Sequence, residues 1–291
     1  MRGVLNINKP EGLPSYGVIR NLKRFLKRER IGYVGTLDPL ASGILLVLLG
    51  EATKIARFLE DLPKEYIGTF KLGILTDTLD IEGKVLDKAS VPALTPERVR
   101  EVMKEFEGEL YQTPPAFSAL SRGGVRLYKL ARAGIRVKPK PRLVKVYKIE
   151  LLEFEPPFVT IRVLVSKGTY IRSLIRDIGE ALGTFATLNS LKRIRIGEFR
   201  LEDSISLSSL DRNKLGSLLI PVDRALYHLP TIILKNTEKV IFGKNLLKED
   251  VEEGWEREGI VKITDKGKRV LAIGRKEKGH IRPLRLIYAD S

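Results

Sequence analysis

The sequence predicts a mixed α/β protein that ends in a smaller, all-β region. Amphipathic helical patterns alternate with short apolar strands over roughly the first 200 residues, as in folds whose helices pack on a sheet. Beyond residue 229 the pattern changes to short strands separated by glycines and charged turns, which is typical of a small β-barrel. We therefore predict two domains, 1–228 and 229–291, with a boundary placed to within about two to four residues.

The first elements are a short strand, Val4–Ile7, and a basic amphipathic helix. Ser15 is placed to cap the N-terminus of that helix. The polar face of the helix carries five cations and no acid: Arg20, Lys23, Arg24, Lys27 and Arg28. A solvated surface would account for such a run, but cations without any acid fit a face that follows phosphates better.

A loop over residues 35–43 joins this helix to the apolar run Ile44–Leu49, which we expect to be a strand buried on both faces. The loop reads Gly35-Thr36-Leu37-Asp38-Pro39-Leu40-Ala41-Ser42-Gly43 and holds one carboxylate. Lone aspartates are common in turns, so the spacing alone favours a structural Asp-Pro turn over a reactive group by about two to one.

The middle of the chain continues to alternate between predicted helices and predicted strands. We predict a helix to about Leu59, an alternating strand over Tyr66–Leu72, and a helix that begins at Thr95-Pro96 and ends at Gly108. The segment of about residues 113–140 combines a rigid Pro-containing stretch with Gly, Arg and Lys. It is either an element that closes on a charged ligand or an ordinary exposed connection, and composition does not separate the two.

The second half begins with two paired strands, Val144–Phe154 and Phe158–Ser166. A helix then opens after Lys167-Gly168 and runs to about Leu182. Leu191–Gly197 is a further strand, with a basic edge. The last strands that the pattern predicts, in the small C-terminal region, are Val261–Ile263, Val270–Ile273 and Leu284–Ile287.

Composition excludes several kinds of chemistry. The chain has no cysteine, which rules out disulfides, thiolate nucleophiles and cysteine metal sites. The two histidines, His228 and His280, are far apart in sequence, so acid–base chemistry falls to carboxylates, Tyr and Lys. Neither G-x-x-x-x-G-K-[ST] nor G-x-G-x-x-G occurs, so we expect no use of ATP, GTP or a dinucleotide, and two distant histidines make a histidine metal cluster improbable.

The charge balance points to a polyanionic partner. The formal net charge is +16, and neutralising phosphates would release their counterions. No apolar run reaches the roughly 18 residues that span a bilayer. The first residues lack the apolar core of a signal peptide, so we expect a cytoplasmic protein with no membrane contact. A single glutamine among 30% charged residues favours a thermophilic source.

Six blocks occur in order over roughly the first 200 residues: Lys9-Pro10-x-Gly12-x-x-Ser15, Gly35 to Gly43, Gly50-Glu51-Ala52-Thr53-Lys54, Leu72-Gly73-x-x-Thr76-Asp77-Thr78, Pro115-Ala116-Phe117-Ser118-Ala119-Leu120 and Ser166-Lys167-Gly168-Thr169-Tyr170-Ile171-Arg172. Together they resemble the TruB family, the bacterial tRNA pseudouridine-55 synthases. The C-terminal region resembles the small RNA-binding PUA domain that follows the catalytic domain in that family.

The resemblance implies a mainly antiparallel mixed sheet with the active site in a cleft across it. It also implies a reaction: a uridine at position 55, in the T loop of tRNA, is isomerised to pseudouridine without a cofactor. The N1–C1′ bond breaks, the uracil turns in the pocket, and C5 bonds to C1′. The implied partner is therefore the T stem-loop of tRNA, and we expect the protein to be a monomer, with an RNA-binding insertion at about residues 113–140.

By position, Asp38 matches the essential aspartate of the family. Attack on C1′, attack on C6 and action as a base at C2′ remain open, and each needs an ionised carboxylate. Arg172 matches the arginine that would keep Asp38 charged in a dry pocket. Tyr66 matches a tyrosine expected to stack on the target base, and Tyr170 and Leu191 match residues that line the uracil pocket.

Three further cations are expected to contact phosphates: Arg20 and Lys23 on the basic helix, and Lys54. The chain departs from the family pattern at Tyr33, where a histidine is usual two residues before the Gly-Thr-Leu-Asp block. Tyrosine can stack and donate one hydrogen bond, but it cannot carry a positive charge near neutral pH. The departure therefore concerns how the T-loop nucleotides are held, and we expect Tyr33 to contact the substrate.

A second interpretation is a non-catalytic RNA-binding or tRNA-chaperone protein with the same fold. A third, another RNA-modifying enzyme such as a methyltransferase, is disfavoured because no Gly-rich cofactor loop follows an early strand.

Overall fold

The protein is described here by a computed structural model covering residues 1–26, 29–118, 120–133, 135, 139–211 and 215–287. The strands are β1 (Gly3–Lys9), β2 (Ile31–Val34), β3 (Ala41–Leu49), β4 (Lys64–Leu72), β5 (Ile74–Thr76), β6 (Val85–Lys88), β7 (Gly108–Gln112), β8 (Ser121–Arg122), β9 (Val125–Arg126), β10 (Arg142–Glu155), β11 (Phe158–Val165), β12 (Ala186–Ile196), β13 (Phe199–Arg200), β14 (Ile205–Ser206), β15 (Thr231–Leu234), β16 (Val251–Glu253), β17 (Gly259–Thr264), β18 (Val270–Glu277) and β19 (His280–Leu286). The α-helices are α1 (Ser15–Phe25), α2 (Ala56–Glu60), α3 (Pro96–Glu105), α4 (Leu127–Arg132), α5 (Ile171–Ala181), α6 (Val222–Ala225) and α7 (Glu238–Ile241).

Ten strands form one large sheet in the order β14-β1-β3-β12-β4-β11-β10-β7, with β2 paired to β3 and β13 to β12. Its pairs are antiparallel except β1 with β14 and β3 with β12. The parallel β3–β12 contact is short and pairs residues 41–43 with residues 191–193. The predicted mixed α/β fold with a mainly antiparallel sheet is thus confirmed, and the loop of residues 35–43 ends where the two parallel strands meet.

Strand β3 is buried on both faces, as the apolar run Ile44–Leu49 predicts. Its six residues from Ile44 to Leu49 are 0% exposed. Leu45, Val47 and Leu49 face a cluster that includes the apolar side of α1. The alternate residues face a second cluster, which contains residues of α2 and of the C-terminal sheet. The strand that follows the Asp38 loop is therefore fixed by packing from both sides.

The C-terminal strands form a separate five-stranded sheet in the order β16-β15-β17-β18-β19. The three strands predicted there are present, and β15 and β16 precede them. The expectation of a closed barrel is not met in the described residues, where β16 and β19 are the two ends of an open sheet. The sheet packs on the large one through Val270, Ile273 and Ile287, which share a cluster with Val4 and Ile44.

Several predicted boundaries shift. Helix α1 ends at Phe25, and Lys27 and Arg28 lie outside the described residues. The helix predicted after Lys167-Gly168 begins only at Ile171, because the preceding residues form a turn. The helix predicted to about Leu59 is a 3₁₀ helix over Gly50–Ile55 followed by α2.

The predicted insertion of about residues 113–140 contains the short β8–β9 pair and α4, while 119, 134 and 136–138 lie outside the described residues. None of the helices in the described ranges has the length and apolar content needed to span a bilayer.

Gly43 makes the close approach of β3 and β12 possible. Its φ is +99°, and an added Cβ would lie 2.2 Å from the backbone oxygen of Arg193. Gly108 has a similar φ of +104°, but an added Cβ there meets nothing within 4 Å. The two glycines thus share a backbone conformation that L side chains rarely adopt, and they differ in their surroundings.

We predict that Gly108→Ala lowers the free energy of unfolding by about 1–2 kcal/mol, from backbone strain alone. Gly43→Ala should lower it by about 1–3 kcal/mol more, because the β3–β12 pair must also move apart. Urea unfolding of both variants measures the difference. Equal losses at the two positions would show that the close approach to Arg193 carries no energetic weight.

Candidate active site

The Asp38 loop is held by backbone contacts on both sides of the aspartate. The hydroxyl of Ser15 donates to the Leu37 carbonyl at 2.9 Å and accepts from the Leu37 amide at 2.8 Å. On the other side, the Pro39 carbonyl accepts from the Gly12 amide at 2.8 Å. The carbonyl of Asp38 itself accepts from the Ala41 amide at 3.1 Å. A loop fixed in this way presents its carboxylate with little freedom to lose on binding.

The prediction that Ser15 caps α1 is wrong. The N-cap is Pro14, and no side chain caps this helix. Ser15 is the first helical residue and is 2% exposed. Its hydroxyl is used by Leu37, 22 residues away in sequence, which a local capping pattern does not reveal.

Asp38 and Arg172 form an ion pair. Arg172 Nε lies 2.9 Å from Asp38 Oδ2, and the side chains of Arg172 and Asp38 are 5% and 40% exposed, respectively. The Nε–H bond does not point along this line, so the contact is an ion pair and not an aligned hydrogen bond. Because Arg172 is buried and Asp38 is not, the cation lies beneath a carboxylate that remains open on its outer side.

The other groups of Arg172 are occupied by residues from two distant loops. Nη1 donates to the Thr78 carbonyl at 2.6 Å, and Nη2 donates to the Phe117 carbonyl at 3.0 Å. Nη1 also lies 3.4 Å from Asp80 Oδ2. The guanidinium therefore has a fixed position, and its charge is shared between two carboxylates.

Asp80 is a residue of this site that the sequence did not single out. Its side chain is 10% exposed, and Oδ1 accepts from the Thr78 hydroxyl at 2.6 Å. The Thr76 hydroxyl donates to the Asp80 carbonyl at 2.7 Å. The only signal in the sequence is the Thr-x-Thr-x-Asp spacing, which is also typical of an ordinary polar connection. The contact with Arg172 is what identifies Asp80 as part of the site.

Tyr66 and Leu191 adjoin the loop through the sheet. Leu191 on β12 is paired with Ala41 on one side and with Gly68 of β4 on the other. Tyr66 is 8% exposed and belongs to the same apolar cluster as Leu37, Leu40 and Leu191. An apolar floor of this kind next to a charged group suits a flat, uncharged ring.

Tyr170 is a second tyrosine near the carboxylate, at the start of α5. The Gln112 side chain holds its backbone in both directions, accepting from the Tyr170 amide at 2.8 Å and donating to its carbonyl at 3.1 Å. Burial raises the pKa of the Tyr170 hydroxyl, and the nearby charge of Asp38 acts in the same direction. The phenol is thus a neutral hydrogen-bond donor at physiological pH. The guanidinium of Arg142 lies 5.7 Å from the centre of its ring.

The remaining predicted substrate-binding residues lie on other elements. Tyr33 is on β2, opposite Val47, and packs against the apolar cluster of α1. Lys54 is in an ion pair with Glu51, so it is less available to a phosphate than the sequence suggests. Arg20 and Lys23 are exposed on α1, as predicted.

Lys9 is a further functional candidate that sequence reasoning treated only as part of a motif. It is 0% exposed, and its ammonium donates to the carbonyls of Pro10, Leu13 and Pro39 at 2.8, 2.6 and 3.3 Å. It therefore ties the Asp38 loop to the turn after β1. Burial lowers the pKa of Lys9 to about 8, with the Arg193 charge acting in the same direction and Asp38 opposing it.

Comparison with known proteins places this geometry in a class of RNA-modifying enzymes. The model of the TruB family pseudouridylate synthase N-terminal domain matches residues 23–171, and that of the tRNA pseudouridylate synthase B C-terminal domain matches residues 172–227. The chain belongs to the TruB family of pseudouridylate synthases.

Proteins named tRNA pseudouridine synthase B are similar over nearly the whole chain. That of Clostridium kluyveri is 39% identical over 94% of this chain and 95% of its own length. That of Francisella philomiragia is 43% identical over 97% and 93%, respectively. A solved H/ACA ribonucleoprotein bound to a substrate RNA containing 2′-deoxyuridine includes a chain with a TM-score of 0.75 and 28% identity, over 99% of this chain and 85% of that one.

We predict a pH-dependent stability contribution from Lys9. Since its folded pKa lies near 8 and its ordinary value is 10.5, the unfolded chain binds a proton between these values that the folded chain has released. The free energy of unfolding should therefore rise with pH in this window, by at most about 1.4 kcal/mol per pH unit. Denaturant unfolding of wild type and Lys9→Met at pH 8, 9 and 10 measures the effect. The free energy of unfolding of the wild type should increase relative to that of Lys9→Met as the pH rises.

Lys148→Met serves as the control. Its ion pair with Glu150 raises the pKa of Lys148, so this ammonium keeps its proton over the same window. The difference between wild type and Lys148→Met should stay constant. A constant difference for Lys9→Met as well would contradict the assignment.

Proposed function

We propose that this chain isomerises uridine to pseudouridine in tRNA, acting at position 55 of the T loop without a cofactor. The names of its relatives and its family support the reaction. The observation that carries the proposal is the Asp38–Arg172 pair, an exposed carboxylate over a buried guanidinium. Neither the family nor the named relatives favour the non-catalytic alternative.

The geometry supports a role for Asp38 in making and breaking the glycosidic bond. Attack on C1′, attack on C6 or abstraction at C2′ all require an anion, and the ion pair with Arg172 places a cation beside it. The N1–C1′ bond then breaks and a C5–C1′ bond forms. The proton that leaves C5 is balanced by one that N1 gains, so no outside reactant is needed.

The apolar floor and the tyrosines suit the target base. We propose that Tyr66 stacks on the uracil and that Leu191 and Tyr170 line the pocket that holds it. Such a pocket can hold a uridine only after the base has left the stack of its own loop. The open side of Asp38, 40% exposed, is where the sugar would approach.

Cations outside the pocket supply affinity. Arg20 and Lys23 project from α1 and would contact phosphates of the T stem. We propose that Tyr33 and Lys54, on adjoining elements, contact nucleotides next to the flipped one. Lys54 would exchange its contact with Glu51 for a phosphate, and its net gain is correspondingly small.

We further propose that residues 1–228 form the catalytic domain and residues 229–291 a PUA-like RNA-binding domain. In the C-terminal sheet, Arg275 and Arg282 stand directly opposite each other on β18 and β19. Like charges at opposed positions destabilise a sheet, and here the ion pair of Arg275 with Glu277 at 3.2 Å compensates the repulsion in part. Arg282 is therefore the more available of the two cations for a polyanion. Arg285 is exposed on the same strand as Arg282.

The segment of about residues 113–140 would close on the RNA. The Phe117 carbonyl, which accepts from Arg172, links this segment to the site. We also propose that the protein is a monomer that acts in the cytoplasm, and the single glutamine among 30% charged residues favours a thermophilic source.

We predict that Asp38→Asn lowers the rate of tritium release from C5-labelled uridine in a T-loop RNA at least about a thousandfold. Affinity for the RNA should stay within about threefold, because phosphate contacts are unaffected. Asp77→Asn is the matched control, since the Asp77 carboxylate lies in the Thr76–Asp80 loop and accepts from the Lys84 amide. Release by Asp38→Asn at the wild-type rate would remove Asp38 from the mechanism, and no release by the wild type would remove the proposed reaction.

We predict that Arg282→Ala with Arg285→Ala weakens tRNA binding and leaves the rate at saturating RNA unchanged. The slope of log K against log salt should fall by about one for each phosphate that the protein no longer neutralises. Point substitutions are preferable to deletion, because removing the C-terminal sheet would uncover the cluster that contains Ile44. Lys266→Ala, which removes a lysine paired with Glu252 at 2.8 Å, is the control. An unchanged salt slope in the double variant would rule out this surface.

A further inference from the structure

Arg193 is the largest fully buried side chain in the described residues, although the sequence predicts it on the basic edge of a strand. It is 1% exposed. A guanidinium keeps its charge in proteins, and burying one is costly unless its donors are satisfied. Among the described residues no carboxylate lies within ion-pair distance of Arg193. Its contacts must therefore explain why a charged residue is kept at this position.

Those contacts are with the two ends of the Asp38 loop. Nη2 donates to the carbonyl of Gly35 at 2.8 Å, where the loop begins. Nε donates to the carbonyl of Ile44 at 2.8 Å, one residue after the loop ends. The planar fork of one side chain thus fixes the separation of the two ends of the loop.

The third contact of Arg193 is with Tyr66. Nη1 lies 3.5 Å from the Tyr66 hydroxyl, and the guanidinium carbon lies 6.0 Å from the ring centre. A guanidinium only donates, so the tyrosine oxygen accepts and its own proton must point elsewhere. Arg193 therefore constrains the position of the ring and also the direction of the O–H bond.

The glycines at the two ends of the loop leave room for this arrangement. A Cβ on Gly35 would lie 3.2 Å from Arg193 Nη1, and one on Gly43 would lie 2.2 Å from the Arg193 carbonyl. Arg193 and the backbone of the loop are thus packed closely against each other at both ends of the loop. A purely structural position of this kind would be filled at least as stably by an apolar side chain.

We propose that Arg193 is a positioning residue for the isomerase reaction, which sets the Asp38 loop and the Tyr66 hydroxyl in register with each other. This role rests on the proposed function. Arg193 does not touch the base or the sugar; it acts through Gly35, Ile44 and Tyr66. Its removal should therefore slow the chemical step more than it weakens RNA binding.

The test compares Arg193→Met, Arg193→Lys, Tyr66→Phe and the double variant Arg193→Met with Tyr66→Phe in the tritium-release assay. We expect Arg193→Met to lower kcat about 10- to 100-fold with KM within about threefold. Arg193→Lys keeps the charge and part of the hydrogen bonding, so its kcat should be at least about fivefold higher than that of Arg193→Met. In the Tyr66→Phe background, Arg193→Met should lower kcat by a smaller factor than it does in the wild type. The reason is that the two residues act partly through one contact.

Arg195→Met is the matched control two residues along β12. Arg195 is 36% exposed and pairs with Glu65 at 2.6 Å, so its replacement should leave kcat within about twofold. Circular dichroism and thermal unfolding identify folded variants, and if Arg193→Met does not fold, Arg193→Lys and its double variant with Tyr66→Phe carry the comparison. A kcat within about threefold of wild type, an effect on KM alone, or fully multiplicative effects with Tyr66→Phe would overturn the role. Inactivity of the wild type would instead overturn the proposed function.

Discussion

The meeting of β3 and β12 at Gly43 and Arg193 is the constraint on which the rest of the site depends. The parallel contact covers only residues 41–43 and 191–193, yet it joins the strand that follows the Asp38 loop to the strand that carries Leu191. It requires a glycine at 43, because the Arg193 backbone occupies the space of a side chain. Lys9, Ser15 and Arg193 then hold the loop from three directions by contacts with its backbone.

The electrostatics of the site follow from unequal burial. Arg172 is nearly inaccessible and lies between Asp38 and Asp80, while Asp38 remains open. A buried cation with two acidic neighbours leaves the pair of carboxylates with one net negative charge. Asp80 is the more buried of the two and accepts a hydrogen bond from Thr78, whereas Asp38 is the carboxylate that is open to solvent. The two carboxylates that share Arg172 thus differ in exposure and in hydrogen bonding.

Local patterns in the sequence predicted the features that depend on neighbouring residues along the chain. Ile44–Leu49 is a doubly buried strand because six apolar residues in a row can satisfy two faces, and Thr95 caps α3 because its partner, Arg98, is three residues away. The long-range pairing of Arg172 with Asp38 was expected from the family resemblance, but predictions from local patterns failed where a side chain is used at long range. The hydroxyl of Ser15 serves Leu37, the guanidinium of Arg193 serves Gly35 and Ile44, and Asp80 meets Arg172. Sequence spacing does not reveal partners that are distant along the chain. Polar residues that are buried by tertiary contacts are therefore mistaken for helix caps, strand edges or exposed connections.

The two-sided packing of β3 also bears on how the molecule unfolds. One face of the strand shares an apolar cluster with Val270, Ile273 and Ile287 of the C-terminal sheet, and the other shares one with α1. Loosening the C-terminal sheet would therefore expose Ile44, Leu46 and Leu48 to water. The two sheets should melt in one cooperative transition, and hydrogen exchange at β3 would report the integrity of both.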